Sequence, residues 1–217
     1  KDFKWLRLLY CYPGEIDADV INLIKTDKIV LRYIDMPLQH INDDILKSMH
    51  RPTTKEKVVS LIHRLRSEIP DIIIRTTFIV GFPGETEEEY EELIDFIKEM
   101  KLDKVGAFAY SREKNTISYD LKNQVPDDIK EKRLTHLLDV QKNIVKEKKR
   151  SYIGKTYEAL IEGYDTYKKM YVVRSYIDAR EIEEVIYVRS DRQLMSGAFV
   201  DVKIIDTYDI DLIGEVR

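Results

Sequence analysis

The residues whose types and spacing point most directly to chemistry are Gly81-Phe82-Pro83-Gly84-Glu85-Thr86. Gly81 and Gly84 free the backbone at both ends of a tight turn and Pro83 fixes φ between them, so main chain can approach a ligand with no Cβ in the way. A phosphate cradle is the first chemistry such a turn suggests. It is excluded because Glu85, Glu87, Glu88, Glu89, Glu91 and Glu92 crowd the following helix start and no lysine follows the glycines. Two readings stay open: an adenosine or amino-acid ligand held by backbone groups, or a turn that serves only the fold.

Other chemistries have thinner support. Cys11 is the single cysteine, too few for a disulfide or, alone, an iron or zinc site, which points to a reducing cytoplasm. His40, His50, His63 and His136 lie at no metal-ligand spacing. No apolar run is long enough to cross a membrane and the start is polar, so the expectation is a soluble protein without a signal peptide. Charge is divided unevenly: residues 1–151 carry 27 Lys plus Arg against 27 Asp plus Glu, while residues 152–217 carry 9 against 13. The whole net charge of -4 therefore falls in the C-terminal stretch.

The elements that must position the turn follow from hydrophobic period. Ile72 to Val80 is β-branched and aromatic, which predicts a strand buried on both faces, as in parallel sheets covered by helices. Thr86 with Glu89 is a capping box for the next helix, and Thr53 with Glu56 is a second one. Strands are expected at 4–12, 29–36, 72–80 and 104–110, with helices near 16–25, 42–67 and 87–100 between them, a βαβαβαβ order. Four units are too few to close an eight-stranded barrel, so the expectation is part of one. The polar run 112–119 is a candidate substrate-facing loop or a solvated connector. Pro126 then opens a long helix to about Arg150, after which the period changes to five short alternating strands with Gly, Asp and Ser turns. That pattern reads as a small OB-like barrel, with domains at 1–151 and 152–217. Its Tyr164, Tyr167, Tyr171 and Tyr176 are read as packing tyrosines rather than base-stacking ones, given the acidic surroundings.

Three motifs, Asp35-Met-Pro-Leu-Gln-His40, Arg75-Thr-Thr-Phe-Ile-Val-Gly-Phe-Pro-Gly-Glu-Thr86 and Phe108-Ala-Tyr-Ser111, resemble the methylthiotransferase branch of the radical S-adenosylmethionine enzymes. The last 66 residues look like the TRAM module of those enzymes. The resemblance implies an α/β fold, a partial TIM-type parallel βα barrel followed by a small all-β barrel. It implies S-adenosylmethionine and two four-iron four-sulfur clusters in the complete enzyme, whose cysteine ligands are not in this chain, so that the chain alone is expected to be inactive. It implies reductive cleavage of S-adenosylmethionine to a 5′-deoxyadenosyl radical, hydrogen abstraction and methylthio transfer. Carried over residue by residue, the family's Gly-x-Ile-x-Gly-x-x-Glu maps to Thr77, Ile79 and Gly81, with Thr in place of the first Gly and the acidic residue one place late at Glu85. Backbone contact from Ile79 to Phe82, together with Gly84, is expected at the adenine. Gln39 and His40 are expected to reach ribose or substrate, and Arg75 the aminocarboxylate.

Members of this family modify either an aspartate of a small-subunit ribosomal protein or an adenosine of tRNA. An acidic second domain suits a basic ribosomal protein better than tRNA, since phosphate neutralisation supplies most nucleic-acid affinity. The stretch from Ile177 also resembles the ribosomal-protein branch. Glu181, Glu183 and Glu184 are the expected docking residues. The same charge count disfavours a third reading, a non-catalytic RNA-binding module.

Overall fold

The computed structural model describes residues 3–179 and 184–217. The chain divides into two compact units, Lys1–Gln141 and Lys142–Arg217. In the first, four strands pair in sequence order: β1 (Leu6–Leu8), β2 (Val30–Asp35), β3 (Ile73–Val80) and β4 (Lys104–Ala109). Every pair is parallel, as consecutive βα units require. The helices between them are α1 (Ala18–Thr26), α2 (Asp43–Ser48), α3 (Lys55–Glu68) and α4 (Glu87–Met100), and α5 (Asp127–Arg150) follows β4.

Helix starts fall where short polar side chains can take up orphan amides. Asp17 accepts from the amides of Asp19 and Val20 to begin α1, and Asn42 from those of Asp44 and Ile45 to begin α2. The Thr86–Glu89 box at α4 forms in both directions. The expected box at Thr53 is displaced by one residue: Thr54 is the cap of α3 and accepts from Lys57.

The strand β3 corrects one expectation. Ile74, Thr76, Phe78 and Val80 are buried on one face, with Phe78 meeting Phe96 of α4 edge-on at 6.3 Å. Arg75, Thr77 and Ile79, on the other face, are only half buried. Burial on both faces was expected because the residue types are apolar throughout. Yet helices cover only one side of the sheet among the described residues, and strict alternation of side chains leaves the other open. Register places Asp35, Arg75 and Lys104 side by side on that open face, with Thr77 beside Gly106 and Ile79 beside Phe108.

The second unit holds a closed five-stranded barrel in the order β5 (Thr156–Asp165), β6 (Met170–Ser175), β7 (Ile186–Arg189), β9 (Asp211–Val216) and β8 (Phe199–Tyr208). Only β7 and β9 pair in parallel. The two ten-residue strands each break register once, β5 between Ile161 and Gly163 and β8 between Ile204 and Asp206, and such bulges bend a long strand around a small barrel. A Cβ on Gly214 would stand 2.4 Å from Val202 Cγ1 and 3.1 Å from the Lys203 carbonyl, so β9 crosses β8 where no side chain fits. Gly214→Ala is therefore expected to cost about 1–3 kcal/mol by overpacking, read as a lowered midpoint in chemical denaturation of the whole chain.

Candidate active site

A cavity of about 450 Å³ opens at the C-terminal ends of β2, β3 and β4. Ligands collect at this end of parallel βα folds, because the loops that leave the strands there vary without disturbing the sheet. Gln39 follows β2, Ile79 and Phe82 come from the end of β3 and the turn after it, and Tyr110 follows β4. Met49 and Arg51 contribute from the segment after α2, and Ile117 and Leu121 from the loop after β4. Phe82 and Tyr110 meet edge to face with ring centroids 5.3 Å apart, and Ile45, Met49, Ile79 and Leu121 pack around them. Such walls accept a flat, largely apolar ligand body and supply few polar contacts.

Gln39 is held by its own backbone. Its N–H donates to the Thr77 carbonyl at 2.9 Å and its carbonyl accepts from Ile79 at 2.8 Å, which prolongs the β2–β3 pairing past the end of β2. Its φ of 71° turns the chain out of the sheet there. Its side-chain Oε1 is buried with no hydrogen-bond partner among the described residues.

The glycine turn is built around Glu85. Both carboxylate oxygens accept the Gly81 N–H, at 3.0 and 2.9 Å. Arg133 of α5 donates to Oε1 at 2.7 Å and reaches Glu87 with its other terminal nitrogen at 2.8 Å. Both Glu85 and Arg133 are buried. The His40 ring is also buried: Nδ1 accepts from the Asn42 amide at 3.0 Å, and Nε2 faces Glu85 Oε2 at 3.5 Å.

The expected site residues thus separate into two groups. Gln39, Ile79 and Phe82 line the cavity. His40 does not: its ring caps the turn into α2 and backs onto Glu85. Arg75 is paired with Asp35 at 2.8 Å across the neighbouring strand, which engages the guanidinium assigned to an aminocarboxylate. Thr77 stands beside it on the open face of the sheet. Gly81 faces α5 and not the cavity, since a Cβ there would lie 2.3 Å from Lys130 Cγ. Gly84 has nothing within 4 Å of that position, and its N–H donates to the Asn123 carbonyl at 2.8 Å. Sequence reasoning missed Met49, Leu121, Lys130 and Arg133 as contributors. The polar run after β4 does border the cavity, through the 3-10 turn Ile117–Asp120. Cys11 fits thiolate ligation poorly, because burial and then the Asp35 carboxylate push its thiol up. Among the described residues no cluster of His, Cys, Asp and Glu could hold a metal ion.

In the barrel, Glu181 and Glu183 lie outside the described residues. Glu184 is not a free surface carboxylate: it faces Lys149 at 3.6 Å, and Lys149 reaches buried Asp178 at 3.7 Å. Asp209 is taken by Lys142 and Lys146, at 3.0 and 2.8 Å, and their hydrogen bonds hold its carboxyl below its usual range. The tyrosines divide. Tyr171 packs against Tyr164 and Tyr176 against Tyr157, whereas Tyr167 is 97% exposed, so packing does not account for that one.

Two outcomes follow from this geometry. Gly81→Ala is expected to destabilise the chain by about 2–4 kcal/mol, from a left-handed φ of 73° and a clash with the Lys130 stem, whereas Gly84→Ala should cost only about 1–2 kcal/mol, from its φ of 92°. Paired denaturation curves check the ranking. Glu92 joins α4 to the α2–α3 segment through Lys55 at 2.7 Å and Asn42 at 2.8 Å. Burial opposes ionisation of Glu92, but these partners outweigh it and hold its pKa below the ordinary 4.5. Its contribution is therefore full above the unfolded value and lost as pH falls through the depressed one. The stability gap between wild type and Glu92→Gln should narrow on acidification below about pH 4.5, and a gap independent of pH would contradict the assignment.

Comparison with known proteins agrees with this architecture. Residues 4–97 match the Radical SAM superfamily and residues 153–216 the TRAM domain. The chain is 49% identical over 212 residues to ribosomal protein uS12 methylthiotransferase RimO of Thermoanaerobacter sp. (strain X514), which covers 98% of this chain and 48% of that protein. It is 47% identical over 215 residues to the RimO of Caldanaerobacter subterraneus subsp. tengcongensis, covering 99% and 49%. The chain spans about half the length of these curated relatives. Among solved structures, coproporphyrinogen III oxidase (HemN) from Escherichia coli, a radical SAM enzyme, superposes with a TM-score of 0.50 at 16% identity over 66% of this chain and 32% of that one, a likeness of fold alone. With the parallel strands, the glycine turn and the closed barrel all accounted for, the chain carries a Radical SAM superfamily segment and a TRAM domain, and almost its whole length is similar to about half the length of the matched uS12 methylthiotransferases.

Proposed function

We propose that the complete protein is a radical S-adenosylmethionine methylthiotransferase that installs a methylthio group on the β-carbon of an aspartate in ribosomal protein uS12, in the cytoplasm. The observation that carries this reading is the cavity at the strand ends, whose flat apolar walls and buried, unpartnered Gln39 Oε1 suit an adenosine moiety. The near-complete match of the chain to uS12 methylthiotransferases supports the substrate.

In this reading the base lies against the wall formed by Ile79 and the packed Phe82–Tyr110 pair, Gln39 offers its amide to the polar edge, and the loop around Ile117 and Leu121 excludes water. S-adenosylmethionine, when bound at a reduced four-iron four-sulfur cluster, supplies hydrogen-abstracting chemistry, and a second molecule supplies the methyl group. The cluster does not fit this chain, because one cysteine with a raised thiol pKa cannot provide three thiolates. A second cluster would likewise depend on ligands from elsewhere in the complete enzyme. This chain's own work is to bind, orient and enclose.

The barrel is proposed to dock uS12 as a basic partner. Its 13 acidic against 9 basic residues favour a polycation, although Glu184 and Asp209 already serve lysines of the same unit. Methylthiolation of a tRNA adenosine is the second reading, favoured by exposed Tyr164, Tyr167 and Tyr208. Parallel titrations of the whole chain with uS12 and with tRNA decide between them: salt-sensitive uS12 binding and negligible tRNA binding are expected, and the reverse would move the chain to the tRNA branch. Anaerobic iron–sulfur reconstitution of this chain alone should give no cluster absorbance and no cleavage of S-adenosylmethionine, while the full-length enzyme should show both.

A further inference from the structure

Residues 98–152 lie between the two family segments, yet α5 within them supplies two buried cations behind the cavity walls. Lys130 and Arg133 stand three residues apart and so project from one helix face. Their side chains are only 8% and 7% exposed, unusual for these residue types. Arg133 grips Glu85 by its carboxylate at 2.7 Å and by its backbone carbonyl at 3.2 Å, and the same carboxylate holds the Gly81 N–H. A closed ring of contacts thus runs from α5 through Glu85 to the residue that precedes Phe82. The Lys130 stem fills the space beside Gly81 where a Cβ would otherwise stand, and its ammonium lies 5.4 Å from the centre of the Tyr110 ring. One helix face therefore braces both aromatic walls of the cavity.

We infer that Lys130 and Arg133 are positioning residues for the cofactor, fixing the place of the packed Phe82–Tyr110 wall through Glu85, Gly81 and the Tyr110 ring. This rests on reading the cavity as the S-adenosylmethionine site. A buried ion pair is a weak source of net stability, since desolvation offsets its attraction, but it fixes geometry through directional contacts. Arg133 contacts the turn at two Glu85 atoms and a third group on Glu87, which leaves the loop little freedom to re-form around a smaller side chain.

The test is equilibrium dialysis of S-adenosylmethionine against the cluster-loaded, full-length enzyme, at a temperature where denaturation curves show each variant folded. Arg133→Met is expected to weaken binding roughly 10-fold, a modest loss for a displaced wall, and Arg133→Lys to recover part of it. In a Glu85→Gln background, Arg133→Met should add little, because the two act as one unit. Lys130→Met, which keeps the stem and removes the ammonium, should weaken binding less and serves if the arginine variants do not fold. Gly214→Ala, destabilised in the barrel, should bind normally. Unchanged binding in the Arg133 and Lys130 variants, or an equal loss in Gly214→Ala, would overturn the inference. Phe82→Ala separates the two ideas: if it weakens binding and the α5 variants do not, only the inference fails, whereas normal binding in Phe82→Ala removes the cofactor reading itself.

Discussion

The Glu85 carboxylate is the contact on which the site depends. It sits among a backbone N–H, a guanidinium and an imidazole, with no water access, at the point where β3 stops and α4 has not begun. A buried carboxylate without partners would be costly, so it demands Arg133, and Arg133 in turn demands that α5 pass directly over the turn. The glycine at position 81 follows from the same demand. The close passage of α5 puts the Lys130 stem where any side chain would stand. Three features that look separate in the chain are one packing solution.

This arrangement gives the glycines a different purpose from the one their spacing suggests. A turn of this composition can bring bare backbone to a ligand, and that was the expectation. Here the Gly81 amide is spent on Glu85 and its missing Cβ accommodates a helix. What reaches the cavity is the Phe82 ring, with Ile79 beside it and Tyr110 packed edge-on against it. The cavity is lined by side chains, while the backbone secures their position. The polar groups on the open sheet face, Asp35 and Arg75, satisfy one another in the same spirit, which lowers the cost of leaving that face without a helical cover.

In the barrel, net charge is a poor guide to available charge. The carboxylates of Asp178 and Glu184 surround Lys149, and Asp209 is shared by two lysines one helical turn apart. Pairs of this kind leave less free acidity than a count of residues implies. The remaining bias is what steers a partner, and its placement matters more than its sum.

The sequence alone determined the element order, the change from helical to alternating period after α5 and the capping box at Thr86. These rest on local rules: side-chain period, cap chemistry and backbone freedom at glycine. It also carried the family resemblance, because long motifs stand in a fixed order. Only tertiary structure decided where each polar side chain went. The family resemblance assigned His40 and Arg75 to ligand contacts, but their partners, Glu85 and Asp35, are 45 and 40 residues distant in the chain. Charge on a long helix is usually exposed, and nothing local in the sequence marks Lys130 and Arg133 as the two that bury. Glu184 was expected to face a basic partner on residue charge alone, whereas it faces Lys149. Pairing between distant charges is set by which helix crosses which turn, and the physical cause is that desolvation of a carboxylate selects its partner in space and not in sequence.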